Sequence, residues 1–147
     1  MTQIKTILCP VDFSAVSDKA LSYAIGFAKE LDAEVHVIHV YNVPVYALPE
    51  GAVTLGPEIV AKVMESSHQA VNDLISKHKD SGVTIKSKLK EGNAHEAILD
   101  EAQSIKADLI VMGTRGRSGL PRLLIGSVAE RIIRSSHIPV LTVSAHE

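Results

Sequence analysis

Two kinds of hydrophobic pattern alternate along the chain. Residues 4–11 form a nearly continuous apolar run closed by Pro10 and Asp12, as expected of a strand covered on both faces in a parallel sheet. Leu21, Ala24, Ile25, Ala28 and Leu31 then recur at helical spacing, one stripe of an amphipathic helix that Ser14 or Ser17 can cap. Strand chemistry returns in Glu34–Tyr41, rich in β-branched residues. Residues 42–57 hold Pro44, Pro49, Gly51, Gly56 and Pro57 and read as a loop, with Pro57 suited to the first turn of the next helix. Val60, Val63, Met64, Ser67, Val71, Leu74, Ile75 and His78 mark that helix, which ends near Gly82 and whose apolar stripe reads as core. In residues 83–90, Val83, Ile85, Ser87 and Leu89 alternate with Thr84, Lys86, Lys88 and Lys90. One face looks inward and a lysine row faces water, the pattern of an edge strand blunted by charge. Asn93 and Glu96 have the capping-box spacing ahead of Ala97, Ile98, Ala102 and Ile105, and Ser127 and Glu130 repeat it ahead of Val128, Ile132 and Ile133. Residues 108–112 and 139–143 complete the set of strands.

Strict strand–helix alternation predicts an α/β three-layer sandwich around a five-stranded parallel sheet, because right-handed crossovers place helices on both faces. With the lysine-rich third strand at an edge, the first strand is central and the order is 3-2-1-4-5. Ligands of such sheets bind beyond the carboxyl ends of the strands, where the order reverses. Here that is between strands one and four, whose following loops begin at Asp12 and Gly113.

Composition narrows the class further. The 147 residues fit a single domain, 1–147, without internal repeat or linker. Hydrophobic residues at 46% and charged residues at 22% exclude a disordered chain. Fifteen Lys+Arg against 17 Asp+Glu leave a net charge of -2, which gives no footprint for nucleic acid or an anionic membrane. Aromatic residues at 3% leave no platform for stacking single-stranded bases. No apolar stretch is long enough to span a membrane, and no signal-peptide pattern opens the chain. The single cysteine, Cys9, sits in an apolar run and reads as a buried small hydrophobe in a reducing compartment; the expected location is the cytoplasm.

The stretch after the fourth strand holds the densest chemistry. Gly113, Gly116 and Gly119 let the backbone turn tightly and present N–H groups to an oxyanion. Gly126-Ser127 opens a helix whose free N–H groups and dipole favour phosphate. Arg115, Arg117 and Arg122 add positive charge. The bland alternative is a glycine-rich surface turn followed by an ordinary helix cap; Ser127 is expected to be that cap in either case. The segment is no P-loop, because Gly-Lys-Ser/Thr is absent, and no G-x-G-x-x-G follows the first strand. Asp12 has its own structural alternative as the cap of the first helix. His36 and His39, three apart on a strand, point to opposite faces and do not make a metal pair. The chain has no G-x-S-x-G elbow for acyl transfer.

Gly113-x2-Gly116-x9-Gly126-Ser127 resembles, without a gap, the G-2x-G-9x-G-(S/T) motif of the ATP-binding universal stress proteins. The turn Pro10-Val11-Asp12-Phe13-Ser14, the pair His39-Val40, Val111-Met112-Gly113 and the exit Ser136-His137-Ile138-Pro139-Val140 are similar too, so the likeness runs through essentially the whole chain. It implies the adenine nucleotide α-hydrolase-like fold, Rossmann-like in outline, and ATP as ligand. By position, Asp12 would meet the adenosine, with Pro10 and Val11 packing beside it, and the backbone of Val40 would address the adenine edge. Met112 and Gly113 would lie near the ribose, and Thr114, Arg115, Gly116 and Arg117 beside the phosphates. Gly126, Ser127 and Val128 would bind phosphates through backbone N–H groups and the hydroxyl. Residues 42–57 contribute no family motif.

The expected function is an ATP-binding stress-response or signalling module with slow or no hydrolysis. The phosphate loop offers no acid or histidine to orient an attacking water, so no catalytic residue is assigned. Magnesium could bridge phosphate oxygens, without a dedicated carboxylate pair. The alternative is an adenylating or ATP-hydrolysing enzyme of the same broad fold. The uncharged last strand predicts a twofold homodimer through that edge, as the resemblance also implies, and a regulatory protein partner would read the bound state.

Overall fold

The computed structural model describes residues 3–43, 45–54, 56–114 and 125–145. Strands β1 (Thr6–Pro10), β2 (Glu34–Tyr41), β5 (Ile85–Glu91), β6 (Leu109–Gly113) and β7 (Val140–Val143) form one parallel sheet in the order β5-β2-β1-β6-β7. Counted within this sheet, that is the expected 3-2-1-4-5. Cys9 lies opposite Val37, and Leu8 opposite both His36 and Ile110. The lysine-rich strand is one edge and the last strand is the other.

Alternation along β1 divides the core. Ile7 and Cys9, with Val11 just beyond, face helices α1 (Ala15–Leu31) and α2 (Pro57–Ser76), where they meet Leu21, Ala24, Ala28 and Leu74. Leu8 faces α3 (Ala94–Ser104) and α4 (Ser127–Ser135), meeting Ile98, Ala102, Ala129 and Ile132 with Ile38 and Ile110. Ile7, Leu8, Ile110 and Ile132 are fully buried, each worth about 1.5–3 kcal/mol over exposure. Cys9 is equally buried, and desolvation pushes its thiol up to about 12, so it behaves as a small hydrophobe.

Three expectations need correction. Residues 42–57 are not all loop: Val45–Leu48 (β3) and Gly51–Thr54 (β4) pair as a short antiparallel hairpin. Proline and glycine mark its turns but hide the pairing, which depends on cross-strand register. The apolar stripe of α2 is core only in its second half. Val71 and Leu74 are buried, whereas Ile59 is 48% and Met64 39% exposed, so only the second half of the helix gives residues to the core. The lysine row does not simply face water. Lys86 Nζ pairs with Glu34 at 3.2 Å, and Lys88 and Lys90 both reach Glu101 at 3.2 Å. Glu101 is only 4% exposed on α3. Burial works against its charge, but the two ammonium groups outweigh that cost and hold its carboxyl below the ordinary carboxylate range. His36, with Lys86, does the same for Glu34. The charge pattern that marks an edge thus also ties β5 to the helix above it.

Candidate functional site

The reversal of strand order between β1 and β6 opens a cavity of about 270 Å³ at the carboxyl ends of the strands. This is slightly below the roughly 300–1,000 Å³ of common ligand pockets. Its wall is mostly apolar: Pro10 and Val11 from the end of β1, Ile38 and Val40 from β2, and Met112 from β6, with Ala94 and Ile98 from α3. Polar groups enter at two places, around Asp12 and at the start of α4.

The β1–α1 turn is built from its own side chains. Asp12 Oδ1 accepts from the Ser14 N–H at 3.0 Å, Ser14 Oγ accepts from the Ser17 N–H at 3.2 Å, and the Asp12 N–H donates to Ser17 Oγ at 3.3 Å. Ser14 is therefore the cap of α1, and Asp12 orders the turn ahead of it; the alternative that Asp12 is the cap fails. Asp12 Oδ2 has no partner among the described residues. Phe13 takes a left-handed φ of 64°, a strained conformation for a bulky side chain, of order 1–3 kcal/mol.

The start of α4 is built differently. The cap is Gly126, extended at φ -71° and ψ 161°, and Ser127 is the first helical residue. The expectation that Ser127 is the cap is thus off by one position, because the backbone enters the helix after Gly126 and not after the serine. Gly126 has no side chain to turn back on the helix. Its N–H donates to the Thr114 carbonyl, which seats the helix start on the end of β6. The N–H groups of Ser127, Val128 and Ala129 then have no intrahelical acceptor, and all three residues line the cavity.

The universal stress protein family matches residues 3–144. The chain belongs to that family. It is 44% identical over 141 residues to Universal stress protein MJ0531 of Methanocaldococcus jannaschii, covering 95% of this chain and 81% of that one. Its backbone is similar to the solved structure of MJ0577 from the same organism, with a TM-score of 0.83, 27% identity and 99% of both chains covered. It also resembles a universal stress protein solved in complex with cAMP, with a TM-score of 0.73, 23% identity, and 99% of this chain and all of that one covered.

Of the site residues expected from the resemblance, Pro10, Val11, Asp12, Val40, Met112, Gly113, Thr114, Gly126, Ser127 and Val128 line this one cavity. Arg115, Gly116 and Arg117 lie outside the described residues, as do Gly119 and Arg122. Gly113 carries a second constraint: a Cβ there would lie 2.6 Å from Val16 Cγ1, so the first motif glycine is also what lets α1 close over the end of β6. Sequence reasoning missed Ser17, Ile38, Ala94, Ile98 and Ala129, which also line the cavity. Ala94 directly follows the Asn93 cap after β5, a position that marks the same end of the sheet. Ile98 lies one turn further on and reads as ordinary core. His36 and His39 do diverge, the first to Glu34 at 2.6 Å and the second to the Val11 carbonyl at 2.8 Å. Among the described residues no cluster of three metal-ligating side chains occurs, and no helix is long and apolar enough to cross a membrane.

Proposed function

We propose that the chain binds an adenine nucleotide, ATP foremost, and works as a nucleotide-dependent stress-response or signalling module with slow or no hydrolysis. The observation that carries this reading is the polarity of the cavity: a carboxylate in an apolar nook on one side and an uncapped helix start on the other. An adenosine fits the first environment, where Asp12 Oδ2 is left to accept from the nucleoside and Val40 offers backbone to the adenine edge. Met112 and Gly113 would flank the ribose. Phosphates fit the second environment, where N–H groups and dipole favour negative charge by about 0.3–1 kcal/mol at an exposed helix start and more when partly buried. The Ser127 hydroxyl adds a donor, and Thr114 leads into Arg115, Gly116 and Arg117. That a protein of this fold has been solved with cAMP agrees with an adenine ligand.

Asp12 is the only ionisable side chain among the described residues of the lining, and this reading spends it on the nucleoside. No described group is then left to orient a water at the terminal phosphate, which favours binding over turnover. Magnesium would be held mainly by phosphate oxygens and water, since one carboxylate is not a metal cage. The uncharged edge strand β7 supports a twofold homodimer by antiparallel pairing, and the buried, unpaired Cys9 suits a reducing compartment such as the cytoplasm.

The test is to denature purified protein and identify what it releases. ATP supports the proposal. Formation of AMP and pyrophosphate on incubation would replace it with an adenylating enzyme, and a protein that takes up no nucleotide even on titration would remove it. For the dimer, Leu141→Lys or Thr142→Pro should shift light scattering toward monomer at micromolar concentration; a wild type already monomeric there counts against edge pairing.

A further inference from the structure

His39 stands on β2 between two cavity-lining residues, Ile38 and Val40, so its side chain leaves the sheet by the opposite face. There it makes two contacts. Its Nδ1 lies 2.8 Å from the Val11 carbonyl oxygen. A carbonyl only accepts, so Nδ1 carries the proton and donates. Its ring also packs on Phe13, with centroids 4.5 Å apart and planes tilted by 45°.

Both contacts land on the residues that flank Asp12. Val11 is where β1 parts from β2: its N–H still donates to the Ile38 carbonyl at 2.9 Å, and the chain then turns through Phe13 at φ 64°. A strained turn of this kind persists only where its surroundings over-determine it. The bonds inside the turn, from Ser14 and Ser17, hold it from the helix side. From the sheet side, beyond the Val11 backbone bond to Ile38, the His39 side chain holds it.

We infer that His39 is a positioning residue: by donating to the Val11 carbonyl and bracing Phe13 from behind the sheet, it locks the turn that presents the Asp12 carboxylate to the cavity. It touches no ligand itself. The inference rests on the reading of the cavity as a nucleotide site, and it adds a β2 residue behind the sheet to those of β2 that line the cavity.

The decisive comparison sets His39→Phe, which keeps a ring but loses the donor, against His39→Asn, which keeps a donor near the place of Nδ1. By calorimetric titration, His39→Phe should weaken adenosine binding about tenfold, the worth of one hydrogen bond of this kind, and His39→Asn by less than about threefold. In an Asp12→Ala background, measured with ATP so that the phosphates keep binding in range, His39→Phe should cost less than about twofold more, because coupled residues are not additive. In the free protein, the amide of Ser14, bonded to Asp12 Oδ1, should exchange about tenfold faster in His39→Phe, while that of Leu8 in the middle of β1 holds its protection. If His39→Phe does not fold, His39→Leu carries the same comparison. Unchanged adenosine affinity with unchanged Ser14 protection overturns the inference, and so do equal losses with and without Asp12. A wild type that binds neither adenosine nor ATP overturns the nucleotide reading itself, and the role of His39 in it.

Discussion

Helices α1 and α4 both begin at the edge of the same cavity, yet one start is closed and the other open. At α1 the chain uses its own side chains: Ser14 caps, Asp12 bonds Ser14, and Ser17 takes the Asp12 N–H. At α4 the cap is a glycine with nothing to offer, and the next three residues line the cavity with their N–H groups unclaimed by the helix. Helix α3, which starts at the same end, follows the first pattern, with Asn93 accepting from the Glu96 N–H at 3.4 Å. A helix start beside a cavity is therefore not an anion site by itself. On the proposed reading it becomes one where the sequence withholds the cap, which leaves N–H groups for which a ligand can supply the acceptor.

The most damaging way to break this contrast is to put a fixed negative charge at the open start. Gly126→Asp should lower ATP affinity by more than about a hundredfold, because the carboxylate would both cap the helix and repel phosphate. Calorimetry on the folded variant measures this, and undiminished affinity would remove phosphate from the α4 start. Ser127→Ala takes away one donor and leaves the backbone groups, so ATP should weaken by about 0.5–2 kcal/mol while adenosine is unaffected. Ser14→Ala is the matching change at the closed start. It should lower folding stability by about 1 kcal/mol in urea denaturation, as loss of a cap does, and leave inorganic triphosphate binding within about twofold. A large loss of triphosphate binding there would mean that the two starts are not functionally distinct. The smallest effect is also the sharpest. Gly126→Ser should raise the stability of the free protein by a few tenths of a kcal/mol, the usual gain of serine over glycine at a cap, yet weaken ATP, because the new hydroxyl competes for the same N–H groups. Opposite signs in the two measurements would identify the missing cap as a binding feature.

The difference between the two helix starts was only half legible in the chain. Local chemistry announces Asn93 and narrows the α1 cap to Ser14 or Ser17, with Asp12 as an alternative, since a short polar side chain ahead of an apolar stripe can be recognised without knowing the fold. At α4, both Gly126 and Ser127 are acceptable caps, and the choice between them depends on where β6 ends: the Gly126 N–H is taken by Thr114, and only that contact sets the first turn at Ser127. The same limit applied at Gly113. Its place in the glycine pattern is visible in sequence, whereas the approach of Val16 that requires a glycine joins residues 97 positions apart, numbered 16 and 113.

The sequence by itself determined the types and order of the main elements, the burial of both faces of β1 and β2, the lysine-marked edge and the family to which the chain belongs. All of these follow from periods of two and 3.6 residues or from motifs read in a single register, and both are properties of the local backbone. Tertiary structure alone decided that Lys88 and Lys90 share one buried carboxylate on α3, that Ile59 and Met64 in the first half of α2 stay exposed, and that Ala94 and Ile98 join Pro10 and Met112 around one cavity. It also placed His39 behind Asp12. Such meetings are set by how each crossover returns to the sheet, and a side chain's nearest neighbours in sequence carry no record of what the returning segment will bring against it.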